Sequence, residues 1–159
     1  MQIVLLRGIN VGGHNKLPMV EFADILNGLG ARGVKTYIQS GNAVMEGVVT
    51  GEDIANAIEA AKGFRPEVMV VPYKTFNAIA DANPFPEAEG RTMHIWFLSG
   101  VPKFDTDRAD TLAIASERYH VTDQAIYLHA PDGMGRSKLA AAMEKIAGVR
   151  ATARNWNTV

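Results

Sequence analysis

The chain has 159 residues, of which 47% are apolar, a formal net charge of −1 and no cysteine. These values are typical of a globular protein with one or two small domains, and they exclude disulfides, thiolate metal sites and cysteine nucleophiles. The near-neutral charge gives no overall attraction to nucleic acid or to an anionic membrane. Because no apolar run approaches the ~20 residues of a membrane span and a strand pattern follows Met1 directly, we expect a cytoplasmic protein with no membrane partner.

The first half of the chain alternates strand and helix patterns. A capping box at Thr50 and Asp53 and glycines at 30 and 63 mark helix ends. In chain order, the predicted elements are a strand at 2–7, a helix at 18–29, a hairpin with strands at 34–39 and 43–45 and a Gly-Asn tip, a helix between Thr50 and Gly63, and a strand at 68–71. This order is the ferredoxin-like pattern, βαββαβ.

The second half repeats the order after a linking helix at 73–82, which ends before Asn83-Pro84. The strand at 93–98 is apolar on both faces and is therefore predicted to be central. The later elements are a helix at 106–115, strands at 118–121 and 125–128, a helix at 137–147 and a strand at 151–154. The predicted fold class is α+β, with two consecutive ferredoxin-like (βαββαβ) halves joined by the linking helix and subdomains at 1–72 and 73–159.

Four loops are rich in glycine, asparagine, serine, arginine and lysine. Right-handed crossovers give the first two strands of each half one direction and the last two the opposite direction. The loop at 7–16 should therefore lie beside the hairpin tip at 39–42. In the second half, the loop at 131–138 and the chain end at 154–158 should share one edge of the sheet.

These loops contain the candidate ligand-binding residues. Ser137 is a predicted helix N-cap between Arg136 and Lys138, and helix N-termini suit phosphate or carboxylate. Paired Gly12 and Gly13 allow close backbone approach or positive φ, although the loops match neither a P-loop nor a dinucleotide fingerprint. The predicted anion-binding residues are Arg7, Asn10, Gly12, Gly13, Asn15, Lys16, Gln39, Ser40, Asn42, Gly135, Arg136, Ser137, Lys138, Arg154, Asn155, Trp156 and Asn157.

Three functions are compatible with these loops. The first is binding of a phosphorylated or other anionic ligand, either a phosphate-containing small molecule or a nucleic acid, which Trp156 could stack against. The basic chain end supports it, because residues 136–159 contain five cations and one acid. The second is a scaffold in which the loops hold the two subdomains together. The third is an enzyme with an Arg/Lys-lined phosphate pocket, ranked last because no acid or histidine is clearly placed as a base.

Each loop also has a purely structural explanation. Glycine and asparagine are ordinary turn residues, Ser137 can simply cap a helix, and a C-terminal tryptophan is often a hydrophobic plug. The histidines lack ligand spacing, so we predict no metal site and no cofactor. His94 and His129 are expected in or beside strands with their ring nitrogens satisfied. The oligomeric state stays open, since edge strands can pair between chains.

Four segments together resemble a known family. They are LLRGINVGG at 5–13, YIQSGN at 37–42, GRSKL at 135–139 and ARNWNTV at 153–159. In this order they resemble the bacterial family called domain of unknown function 1697 (DUF1697), along essentially the whole chain. The resemblance implies two ferredoxin-like α+β subdomains, a further short helix after the last segment, and no established activity.

Overall fold

A computed structural model describes residues 1–159 and divides into two compact units, Met1–Ala78 and Ile79–Val159. Each unit contains one four-stranded sheet, and every strand pairing in both sheets is antiparallel. The predicted α+β class with two βαββαβ halves is confirmed. The subdomain limits 1–72 and 73–159 stay a prediction.

The first unit has a helix after its first strand and another after its third. Its elements, together with the helix that follows them, are β1 (Gln2–Arg7), α1 (Met19–Gly28), β2 (Arg32–Tyr37), β3 (Asn42–Glu46), α2 (Gly51–Lys62), β4 (Glu67–Pro72) and α3 (Tyr73–Asp81). The strand order is β2-β3-β1-β4, so β1 is central and pairs with β3 and β4. The ends of β1 and β2 and the starts of β3 and β4 therefore lie at one edge of this sheet.

The core of the first unit follows from the strand and helix periods. Val4 and Leu6 of β1 are fully buried against helices α1 and α2, because alternate strand residues share a face. The Thr50 side chain accepts a hydrogen bond from Asp53 N at 3.1 Å, and Gly63 ends α2 with φ 80°. The predicted capping box and glycine stop are confirmed.

The second unit repeats this arrangement. Its elements are β5 (Met93–Leu98), α4 (Thr106–Leu112), β6 (Arg118–Val121), β7 (Ala125–His129), a short 3-10 helix (Met134–Arg136), α5 (Lys138–Ala147) and β8 (Ala151–Asn155). The order is β6-β7-β5-β8, so β5 is central as predicted. No helix in either unit combines the length and the apolar character needed to cross a membrane.

Two predicted elements end two or three residues before the predicted position. Helix α4 stops at Leu112 rather than at 115, because Ala113 is extended and Glu117 N bonds back to Ile114 O in a separate turn. Strand β2 ends at Tyr37 rather than at 39, because Ile38 adopts φ 48° and leaves the strand. The hairpin turn therefore spans 38–41 rather than a Gly-Asn tip, and Asn42 already belongs to β3.

His94 departs from the sequence expectation. It lies in β5, but its Nδ1 is buried and has no hydrogen-bond partner, so the prediction that both of its ring nitrogens are satisfied is wrong. Burial lowers the pKa of His94 from its ordinary value of 6.5, because desolvation disfavours the charged ring, and the nearby Met93 backbone opposes this only in part.

Replacing His94 with glutamine should make stability less dependent on pH. The folded pKa of His94 lies below the unfolded value, so the unfolded chain binds more protons and stability is lost as pH falls below the unfolded pKa. We expect the decrease in unfolding free energy between about pH 7.5 and about pH 5 to be smaller in His94→Gln, as measured by urea unfolding. Exposed His14 provides the control, His14→Gln. An equal decrease in wild type and His94→Gln would contradict this expectation.

Candidate anion-binding loops

The loop after β1 folds against the tip of the β2–β3 hairpin. Leu6 N donates to Gly41 O at 2.8 Å, and the Asn10 side chain donates to Gln39 O at 2.8 Å. The two donor-rich segments of the first unit are therefore neighbours, although about 30 residues separate them. Antiparallel pairing places them together, because β1 ends where β3 begins.

Asn10 joins both ends of its loop to the hairpin. Its Nδ2 donates to Leu17 O at 2.9 Å as well as to Gln39 O, and its Oδ1 accepts from Leu17 N at 2.8 Å. The Asn10 backbone has φ 54° and its N–H donates to Asn15 O. Both amide hydrogens are engaged within the unit, so Asn10 shapes the loop rather than offering a donor to a ligand.

Most other amides and glycines of these loops are also used internally. Asn15 donates to Gly8 O at 2.9 Å, and buried Asn42 donates to Tyr37 O and Ser40 Oγ, each at 2.9 Å. The turn at 11–14 is closed by the bond from His14 N to Val11 O, and its two central glycines have φ 57° and 78°. These residues supply the left-handed backbone that the loop requires.

The two cations of this loop, Arg7 and Lys16, differ in their interactions with the rest of the chain. Arg7 pairs with Glu67 of β4 at 3.2 Å, and both side chains are about half exposed, so this ion pair contributes little stability. Lys16 is exposed and makes no side-chain hydrogen bond or ion pair. Lys16 therefore keeps its charge available to solvent or to a ligand.

An open groove of about 580 Å³ lies between the loop, the hairpin tip and the start of α1. Its lining residues are Asn10, Gly13, Lys16, Pro18, Met19, Val20 and Gln39. Pro18 precedes α1 and no side chain caps this helix. The N–H groups of Met19, Val20 and Glu21 consequently have no acceptor. Unpaired N–H groups and an unpaired ammonium thus lie at one groove.

The second unit presents a different edge. Met93 pairs with His129 of β7, and His94 pairs with Asn155 of β8, so the loop after β7 and the chain end share one edge. Buried Ser137 caps α5 by accepting from Ala140 N at 3.0 Å. The Ser137 hydroxyl is thereby used by its own helix.

The cations around Ser137 remain available. Arg136 and Lys138 are both exposed, and neither makes a side-chain hydrogen bond or ion pair. Gly135 before them belongs to the short 3-10 helix that leads into α5. This segment therefore carries exposed charge, but it does not line the groove of the first unit.

The residues of the chain end are held inside the second unit. Arg154 is buried, which lowers its pKa to about 10, and its Nη1 donates to Ala153 O at 2.9 Å. Asn155 Oδ1 accepts two bonds from Thr158, and Trp156 N donates to Met93 O at 2.8 Å. The Asn157 amide occupies the space where a side chain on Gly90 would lie.

Comparison with known proteins identifies relatives of this chain. A model of the family described as "Protein of unknown function (DUF1697)" matches residues 1–127, which is most of the chain. The chain belongs to the DUF1697 family. The matched range includes the segments at 5–13 and 37–42, whereas those at 135–139 and 153–159 follow it.

The structure of conserved bacterial protein SP0830 from Streptococcus pneumoniae is similar to this DUF1697 chain. The two share 22% sequence identity with a TM-score of 0.70, over 99% of this chain and 93% of the other. At this identity the likeness shows a common fold. Among proteins with curated descriptions, none matches the sequence.

Sequence reasoning missed part of the groove in this DUF1697 protein. Pro18, Met19 and Val20 were assigned to a helix and not to a site, yet all three line the groove. The signal was present, because Pro18 stands where a capping serine, threonine or aspartate is common and cannot cap α1 with its side chain. The structure contains no group of three or more histidine or acidic residues that could hold a metal ion.

Gly41→Ala should destabilise the protein by about 2–5 kcal/mol, because left-handed strain and overpacking both act there. Gly41 has φ 84°, and an added Cβ would lie 2.7 Å from Leu6 Cβ and 2.8 Å from Ile9 Cδ1. Gly8 has φ 77° with nothing within 4 Å of an added Cβ, so Gly8→Ala isolates the strain. We expect Gly8→Ala to cost about 1–2 kcal/mol. Urea unfolding compares the two, and equal losses would exclude the overpacking contribution.

Proposed function

We propose that this DUF1697 protein binds a phosphorylated or other anionic small molecule in the groove of the first unit. The observation that supports this is that one groove is lined both by Lys16, whose ammonium is unpaired, and by Met19 and Val20, whose N–H groups have no acceptor. A helix N-terminus carries about half a positive charge, and its N–H groups match phosphate or carboxylate oxygens. Lys16 adds a full charge from the same loop.

The other residues that line the groove indicate what kind of group should carry the anion in the ligand. Pro18, Met19 and Val20 form an apolar surface, and Val20 is 74% exposed. The Gln39 carbonyl bonds to Asn10, whereas its side-chain amide makes no hydrogen bond. An anionic group attached to an apolar or aromatic body, as in a nucleotide, fits this combination. A groove lined by amides, one lysine and apolar groups is better suited to ligand binding than to catalysis by proton transfer.

Nucleic acid is the second candidate ligand. Exposed Arg136 and Lys138 at the start of α5 support it, because two unpaired cations can contact adjacent phosphates. The net charge of −1 and pI near 6.4 favour the small molecule. The scaffold hypothesis, in which the loops hold the two subdomains together, is not supported by these bonds of Asn10, Asn15 and Asn42, because each joins residues of one unit. It leaves Lys16 without a role.

The groove can be tested by titrating isotope-labelled protein at low salt with inorganic phosphate, adenosine monophosphate and a short oligonucleotide. We expect adenosine monophosphate to shift the amide signals of Gly13, Lys16, Met19 and Val20. Lys16→Ala should weaken this binding about 5- to 10-fold, which corresponds to about 1–1.4 kcal/mol. The affinity should also fall as salt rises.

Lys35→Ala is the matched control. Lys35 is exposed on β2 of the same unit, has no side-chain partner and does not line the groove. Equal weakening by the two substitutions, or unshifted groove amides with every anion, would contradict the proposal. Shifts that cluster at Arg136 and Lys138 with the oligonucleotide alone would favour nucleic acid instead.

A further inference from the structure

A second pocket, of about 390 Å³, lies in the second unit beside the end of α4 and the start of β6. It is lined by Phe85, Asp110, Ala113, Glu117, Arg118 and Tyr119. All six residues belong to Ile79–Val159, so the pocket is separate from the groove of the first unit. Two of the lining residues are acids and two are aromatic.

Glu117 is a buried acid without a counter-ion. Its exposed fraction is 8%, and no cation of the chain pairs with it. Its Oε2 receives only the N–H of Ile114, at 3.4 Å, and its Oε1 has no hydrogen-bond partner. Buried carboxylates in proteins are usually paired or well hydrogen-bonded, because desolvation of an unpaired charge is costly. A pocket at this residue gives an external cation access to it.

Asp110 provides a second carboxylate. Its Oδ1 accepts the Tyr119 hydroxyl at 2.6 Å, and its Oδ2 has no partner within the chain. Burial, followed by the hydrogen bond and charge of Asp110, raises the pKa of Tyr119 to about 12. The phenol therefore stays protonated as a donor and holds Asp110 in place while Oδ2 remains open.

The aromatic lining suits the same chemistry. Tyr119 packs against Phe104 with ring centroids 5.5 Å apart, which fixes its ring, and Phe85 contributes a second ring to the lining. Aromatic faces attract ammonium and guanidinium groups, more strongly where water is partly excluded. Arg118 is the only cation in the lining and makes no ion pair, so the two acids leave the pocket net negative.

We propose that this pocket binds a primary ammonium or guanidinium group through the carboxylates of Glu117 and Asp110, with the rings of Phe85 and Tyr119 beside it. The group can belong to a small amine or to a basic side chain of a peptide, which share this chemistry. Both sources donate several N–H bonds to unpaired carboxylate oxygens. The inference is independent of anion binding, because it concerns another unit and the opposite charge.

The test is a titration of the isotope-labelled full chain with butylammonium, agmatine and a short lysine-containing peptide, with 1-butanol as the uncharged probe. We expect the cationic probes to shift the amide signals of Asp110, Glu117, Arg118 and Tyr119, and 1-butanol to leave them in place. A peptide that binds at least tenfold tighter than the amines would identify a basic side chain as the ligand. Comparable affinities would identify a small amine, and both outcomes support the pocket.

Glu117→Gln should weaken cation binding about tenfold or more, because it removes the charge and keeps the shape. The folded protein should not lose thermal stability, since Glu117 has no ion pair to break. Glu87→Gln is the control, because Glu87 is an exposed acid of the same unit outside the pocket. Asp110→Asn is the second variant, in which the amide oxygen still accepts the Tyr119 hydroxyl. Unshifted signals with every cationic probe, equal shifts with 1-butanol, or unchanged affinity in both pocket variants would overturn the proposal.

Discussion

The side chain of Asn10 is the interaction on which the edge of the first unit depends. A single amide group bonds to both backbone groups of Leu17 and to the carbonyl of Gln39. These bonds fix where α1 starts and how the loop meets the hairpin. The position of Lys16, one residue before Leu17, follows from the same bonds, and so does the groove.

Left-handed backbone is concentrated at this edge. The residues with positive φ here are Gly8, Asn10, Gly12, Gly13, Asn15, Ile38 and Gly41. Ile38 stands out, because a β-branched side chain disfavours this conformation and the residue is also 46% exposed. Such strain persists only where the surrounding bonds determine the backbone, and it is common at functional sites. The hydrogen bonds around Asn10 and Asn42 hold the backbone of this edge in its left-handed conformation.

The two pockets contain unpaired polar groups of opposite kind, hydrogen-bond donors in one and acceptors in the other. In the first unit, the backbone N–H groups of Met19 and Val20 and the charged side chain of Lys16 have no acceptor. In the second unit, Glu117 Oε1 and Asp110 Oδ2 have no donor, and Glu117 Oε2 has only a long bond from Ile114 N. Residue types alone do not distinguish these positions, since Arg7 and Asp132 have comparable chemistry but internal partners. The groups left unpaired by the fold are the informative ones.

Local patterns in the sequence determined the order and type of the elements. The apolar run in β1, helical spacing in α2 and the caps at Thr50 and Ser137 depend on near neighbours, so they can be identified without the fold. Antiparallel topology even indicated that the loop after β1 meets the hairpin tip. These features are local or follow from handedness, which is a general rule of chain geometry.

Only the tertiary structure decided which polar groups are satisfied. Arg7 pairs with Glu67, which is 60 residues away in the sequence, and the Asn10 side chain donates to the Gln39 carbonyl, which is 29 residues away. The burial of Glu117 and the missing partner of His94 Nδ1 likewise depend on packing. The sequence gives the type of each donor and acceptor, but its partner is selected by segments brought together on folding. Hydrogen bonds act over about 3 Å in space regardless of separation along the chain, so the fold alone assigns them.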